Sequence, residues 1–184
     1  SFLFDLPAYQ ARRIPQRIAA AMWRQGIKEE TSSEHLVTLV RSIAAQFIHR
    51  GVKKGDRVII LTDRYSIKWL ATDMAIMTVG AISTPLHYPV KKPELDLILQ
   101  RIEPVLIIYT QGIEFEDSSN TLRILIDDLI ASTNVPSEND LKKLEDIWTT
   151  LQQDDIATIV HTSGSSGEPR AVCLSHGNVV SNVI

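Results

Sequence analysis

"GDRVIILTD", residues 55–63, decides the fold. Gly55 and Asp56 make a turn, and Val58 to Leu61 run on without a polar residue. A strand with one wet face alternates apolar and polar side chains. An unbroken run of β-branched and aliphatic residues this short belongs to a strand covered on both faces, as in a parallel sheet between helices. The flanking segments agree. Upstream, Leu36, Leu39, Val40, Ile43, Ala44, Phe47 and Ile48 recur at helical spacing and predict a helix over 35–50 with one apolar stripe. Thr31 and Glu34 have capping-box spacing before it, and Gly51 suits a left-handed stop. Downstream, Ser66 caps a second helix carrying Ile67, Leu70, Ala71 and Met74 and ending at Gly80.

The alternation continues toward the C-terminus. "AISTPL", 81–86, reads as a short strand. Pro93 suits the first turn of a helix whose inner face is Leu95, Ile98, Leu99 and Ile102, and Pro104 stops it. "VLIIY", 105–109, and "LRILI", 122–126, read as further strands. Residues 111–121 and 132–140 are polar and read as loops, and "LKKLEDIWTTL", 141–151, as a short helix. Strand–helix alternation of this kind predicts an α/β fold, a parallel sheet layered between helices. One segment is ambiguous. "RIAAAMWRQ", 17–25, scores as helix on propensity, while Pro15 before it and the polar "KEETSSE" after it also permit a strand leading into a turn.

Composition narrows the function classes. The chain has 184 residues, 44% hydrophobic and 22% charged, enough for one buried core and one domain or most of one. A net charge of -3 leaves no basic footprint for nucleic acid. The one cysteine, Cys173, excludes an internal disulfide and points to a reducing, cytoplasmic setting. Its apolar neighbours Val172 and Leu174 predict a buried small hydrophobe rather than a nucleophile. No Cys and His cluster has metal-site spacing, so no metal ligand is expected. No apolar run reaches the roughly 18 residues of a membrane span, which leaves peripheral membrane contact open. Ser1 is not a natural start and Ile184 falls in a helix opening, so an excised piece is expected.

The chemistry concentrates in "HTSGSSGEPRAV", 161–172. Gly164 and Gly167 lack Cβ atoms, so backbone N–H groups there can converge on an anion. Thr162, Ser163, Ser165 and Ser166 add hydroxyl donors, and Arg170 adds a permanent forked cation. Together they suit phosphate. Composition alone is equally that of a surface turn. The loop is neither a Walker A, since two rather than four residues separate its glycines, nor a dinucleotide fingerprint. "ATIVH" before it reads as a strand, and "LSHGNVVSN" after it as a helix entrance with Ser175 as cap. His176 reads as a helix-start residue making local hydrogen bonds, and Trp69, Met74 and Met77 as core.

"TSGSSGEPRAV" followed by "LSHGN" resembles the phosphate-loop signature of the AMP-forming, adenylate-forming enzymes, which include acyl-CoA synthetases, luciferases and peptide-synthetase adenylation domains. The segment "GVKKGDRV" through "GAISTPL" is similar to their N-terminal region in element order, and "PLHYPVKKPELDLIL" to the long-chain fatty acyl-CoA ligase branch. The resemblance covers nearly the whole chain and makes residues 1–184 the N-terminal portion of the AMP-binding domain.

The resemblance implies a reaction. The carboxylate of an acid, here a fatty acid, attacks the α-phosphorus of MgATP, pyrophosphate leaves, and the acyl group passes to coenzyme A. Thr162, Ser163, Gly164, Ser165, Ser166, Gly167 and Arg170 would hold the phosphates. Arg170 stands where the family carries lysine and Ala171 where it carries glycine. The family's remaining machinery follows this loop, so no catalytic residue is expected among these 184 and the chain alone should be inactive. The alternatives are an acyl-AMP ligase or adenylation domain loading a carrier protein, and a non-catalytic nucleotide-binding or scaffold module. Under the resemblance "RIAAAMWRQ" becomes a strand.

Overall fold

The computed structural model describes residues 2, 5–24, 26–116, 119–163 and 169–181. Its centre is a six-stranded sheet in the order β6-β5-β3-β4-β7-β8. The strands are β3 (Arg57–Thr62), β4 (Ile82–His87), β5 (Leu106–Tyr109), β6 (Leu122–Leu125), β7 (Ile156–Ser163) and β8 (Pro169–Ser175). The first five run parallel and β8 turns back antiparallel on β7. A separate antiparallel hairpin joins β1 (Ile18–Arg24) to β2 (Ile27–Ser32). Seven helices complete the described residues: α1 (Asp5–Arg13), α2 (Ser33–His49), α3 (Ile67–Thr78), α4 (Lys92–Ile102), α5 (Ile126–Ala131), α6 (Glu138–Thr150) and α7 (His176–Ser181).

The unbroken run in β3 is explained by two cores, one on each face of the sheet. Val58 and Ile60 enter a core built with α2, α3 and α6, where Phe47, Met77 and Leu144 are buried. Ile59 and Leu61 point the other way, into a smaller core with Leu95, Ile98 and Leu99 of α4. Strand β5 divides in the same manner, Leu106 and Ile108 to the first core and Ile107 to the second. Successive side chains on a strand face opposite sides, so a strand between two helical layers must be apolar at every position. The α/β parallel-sheet expectation holds.

Several local expectations need correction. Ser32, not Thr31, caps α2: it is extended at φ -73 and ψ 161, and its Oγ accepts the His35 N–H at 3.2 Å. Thr31 is buried and still within β2, because the strand runs to the cap without a turn. The polar "KEETS" is accordingly a strand, paired with β1 from Ile18↔Ser32 to Arg24↔Ile27. Residues 18–24 are extended, as the family resemblance implies, because cross-strand pairing overrides their helical propensity. Helix α6 begins at Glu138 rather than 141, with Ser137 and Asp140 forming a reciprocal capping box. Ile126 belongs to α5, not to β6. Helix α1 carried no sequence signal that was read.

The cap at Ser66 and the end at Gly80 are as expected. Ser66 Oγ accepts the Trp69 N–H at 3.0 Å. Gly80 has φ +73, and a Cβ there would lie 2.9 Å from Leu151 Cδ2. Met74 and Met77 are buried in the first core with Trp69 packed against it, so all three are core residues.

Candidate functional site

In an open parallel sheet, ligands bind beyond the carboxyl ends of the strands. Here β3, β4 and β7 end together, and a cleft of about 320 Å³ opens there, lined by Thr62, His87, Pro89, Glu94, His161 and Thr162 among others. Each element places its residue through register. Thr62 pairs with His87 across β3 and β4, and β4 meets β7 at Ser83↔Thr158, three residues before His161. Glu94 comes from the first turn of α4.

The phosphate-loop expectation requires a revised topology. The loop does not lead from a strand into a helix. It joins two strands: β7 and β8 form a hairpin in which Thr162 pairs with Arg170 and Ser163 with Pro169. The helix entrance comes seven residues later, at His176, where Ser175 Oγ accepts the Asn178 N–H at 3.2 Å. The missed signal was "RAVCL", a β-rich run hidden behind a loop that looked helix-directed.

Directly opposed residues of an antiparallel pair share a face, so Thr162 and Arg170 stand side by side at the base of the loop. Both are exposed. Neither side chain has a hydrogen bond or ion pair among the described residues. An exposed hydroxyl beside an unpaired guanidinium is a set of donors without an acceptor, which suits an oxyanion. Gly164, Ser165, Ser166 and Gly167, and the side chain of Ser163, lie outside the described residues. The structure thus brings together Thr162 and Arg170 of the expected set.

Two histidines were not read from the sequence as part of this cleft. His161 is half-buried, and burial pushes its imidazole pKa below the ordinary value while the Glu94 charge pulls the other way. His87 ends β4 at the cleft mouth. Each sits at the carboxyl end of a strand, and the sheet order makes those two strands neighbours. His176 lies elsewhere: it is 1% exposed, its ring meets Phe2 edge-on at 5.0 Å, and its N–H donates to Asp155 O at 3.0 Å. That position removes it from the cleft, and the hydrogen bond of its backbone N–H goes to a residue far back in the chain rather than to a local partner.

Cys173 overturns an expectation. It is exposed, because β8 is the edge of the sheet and one of its faces is left uncovered among the described residues. Among those residues no group of three or more His, Cys, Asp or Glu side chains can hold a metal ion, and no helix is long and apolar enough to cross a membrane.

Comparison with known proteins places this geometry in context. The family model described as AMP-binding enzyme matches residues 8–184. A long-chain-fatty-acid–CoA ligase, FadD15 of Mycobacterium bovis, is 27% identical over 184 residues, covering 92% of this chain and 30% of the ligase. The hybrid PKS-NRPS synthetase pvhA of Talaromyces variabilis is 26% identical over 161 residues, 85% of this chain and 4% of the synthetase. Among solved structures, a fatty acyl-adenylate ligase from L. pneumophila, in complex with acyl adenylate and pyrophosphate, superposes with a TM-score of 0.77 at 22% identity. That match covers 99% of this chain and 31% of the ligase. The chain therefore spans about a third or less of the length of these relatives.

Proposed function

Since the chain belongs to the AMP-binding enzyme family, we propose that it is the phosphate-holding N-terminal part of an ATP-dependent ligase that activates a long-chain fatty acid as its acyl adenylate and delivers it to coenzyme A. The observation that carries this is the β7–β8 hairpin, which sets Thr162 and Arg170, whose side chains have no partner among the described residues, side by side at the base of the glycine–serine loop. That hairpin stands beside a cleft at the carboxyl ends of the parallel strands.

The division of labour follows from charge. As the carboxylate oxygen bonds to the α-phosphorus, the bond to the bridging oxygen breaks and negative charge gathers on the departing pyrophosphate. Donors fixed in advance stabilise that charge without reorganising during the step. Arg170 supplies a cation with forked donors, and Thr162 a hydroxyl donor. Magnesium travels with the nucleotide as MgATP, as part of the substrate. His161 and Glu94 line the cleft next to the hairpin and would shape the space the acid enters. The fatty acid assignment rests on the likeness to the long-chain-fatty-acid–CoA ligase, and the cytoplasmic setting on the lone cysteine.

A second reading is favoured by the likeness to the hybrid synthetase: the acyl adenylate is passed to a carrier-protein thiol instead of coenzyme A. Trapping with hydroxylamine separates activation from transfer. In the longer ligase that carries this chain, acids of increasing length with ATP should give acyl hydroxamate, most with long chains. Adding coenzyme A should then give acyl-CoA. Hydroxamate without acyl-CoA, and acyl transfer to a phosphopantetheinyl carrier, would select the second reading. No hydroxamate with any acid would overturn both and leave a nucleotide-binding module.

A further inference from the structure

A second cavity lies on the opposite side of the sheet from the cleft just described. It has a volume of about 380 Å³ and sits where α1 and α2 meet α3 and α6. Val40 and Met74, both of the first core, and Trp148, packed against that core, form its floor together with Val37. The cleft residues Leu86 and Ile98 belong to the second core, so the central sheet separates the two spaces.

The polar atoms of this cavity divide into satisfied and unsatisfied ones. Trp148 Nε1 donates to Thr78 O at 3.0 Å, Thr78 Oγ1 to Met74 O at 2.7 Å and Thr38 Oγ1 to Glu34 O at 2.9 Å. The floor therefore presents carbon rather than free donors. At the rim, Asp5 Oδ2 accepts the Phe2 N–H at 2.8 Å and Glu34 Oε2 accepts from Gln16 Nε2 at 2.9 Å. Arg12 and Arg41 line the same cavity, and their side chains have no hydrogen bond or ion pair among the described residues. Two unengaged guanidinium groups above an apolar floor ask for one kind of molecule, an anionic head with a hydrocarbon tail.

We propose that the cavity between α1, α2, α3 and α6 is a binding site for a medium-chain carboxylate, held by Arg12 and Arg41 at the head and by Val37, Val40, Met74 and Trp148 along the tail. Its volume falls in the lower part of the range of small-molecule sites, roughly 300–1,000 Å³. The site is separate from the adenylation cleft and stands whether or not that cleft is catalytic.

The test uses the 184-residue chain, labelled with ¹⁵N and titrated with octanoate and, separately, with octanol. The expected result is saturable shifts of the Arg12, Val37 and Arg41 amides and of the Trp148 indole. Octanol should bind about tenfold more weakly, because it lacks the charge the arginines meet. Arg12→Gln and Arg41→Gln should each weaken octanoate about tenfold and leave octanol unchanged. The octanoate–octanol comparison needs no variant, so a variant that fails to fold does not spare the proposal. Equal affinity for the two ligands, no saturable shift at these residues, or shifts confined to Thr62, His87 and His161 would each overturn it.

Discussion

At the scale of single residues, Asp73 on α3 carries the clearest pH signature. Its carboxyl accepts a hydrogen bond from Ser83 Oγ, yet burial dominates and pushes its pKa from 3.8 up to about 6. A raised carboxyl pKa favours the protonated form in the folded state. The folded chain then binds more protons than the unfolded one between about pH 4 and 6, so Asp73 takes stability away as pH rises through that window. Asp73→Asn should therefore stabilise the chain at pH 7.5 by something on the order of 2 kcal/mol. The gain over the parent should shrink to nothing below about pH 4. Paired denaturant unfolding across this range reads the difference directly. Asp140, held down to about 2 first by the Ser137 hydroxyl and then by His49, works in the opposite sense: its contribution is present above about pH 4 and fades as pH falls toward 2. Subtracting parent from variant cancels that contribution. Gly80 is the other residue with no tolerance. Its φ of +73 strains any side chain, and Leu151 stands 2.9 Å from a Cβ. Gly80→Ala should cost about 1–2 kcal/mol, seen as a lower urea midpoint with an unchanged slope.

At the scale of elements, caps decide the boundaries. Helix α6 starts where Ser137 Oγ accepts the Asp140 N–H at 3.2 Å and the Asp140 carboxylate accepts the Ser137 N–H at 3.0 Å. Ser137→Ala should lower stability by about 1 kcal/mol in the same unfolding measurement. Boundaries of this kind are where the sequence was least legible. The spacing of Leu36, Val40, Ile43 and Phe47 showed α2 plainly, because burial imposes a period. Which of Thr31 and Ser32 capped it depended on how far β2 ran, and that was set by pairing with β1, a contact no local pattern records. The same blindness hid β8. "RAVCL" is strand-forming, but it pairs across a loop whose length and glycines suggested a helix entrance. Thr162 and Arg170 were both marked from residue chemistry. That they face each other needed the register of the hairpin, and His87 and His161 needed the order of the strands.

At the scale of the whole molecule, the sheet order β6-β5-β3-β4-β7-β8 does two things at once. It buries the apolar strands between two helical cores, and it gathers the carboxyl ends of β3, β4 and β7 at one cleft that His161 and Thr162 of the β7–β8 hairpin help to line. The chain spans 30% of the length of the long-chain-fatty-acid–CoA ligase it matches. On the proposed function, the 184-residue chain alone should show no acid-dependent exchange of pyrophosphate into ATP, while a longer protein that carries it should.

The most direct measurement is that exchange in the longer ligase, with a long-chain acid, comparing the parent with Arg170→Ala and Arg170→Lys. If Arg170 stabilises the departing pyrophosphate, alanine should slow exchange by about 100-fold or more, since a single charge-stabilising donor is worth that much. Lysine, which keeps the charge, should restore most of the rate. Exchange at the parent's rate in Arg170→Ala would contradict the assignment of this hairpin to the phosphates.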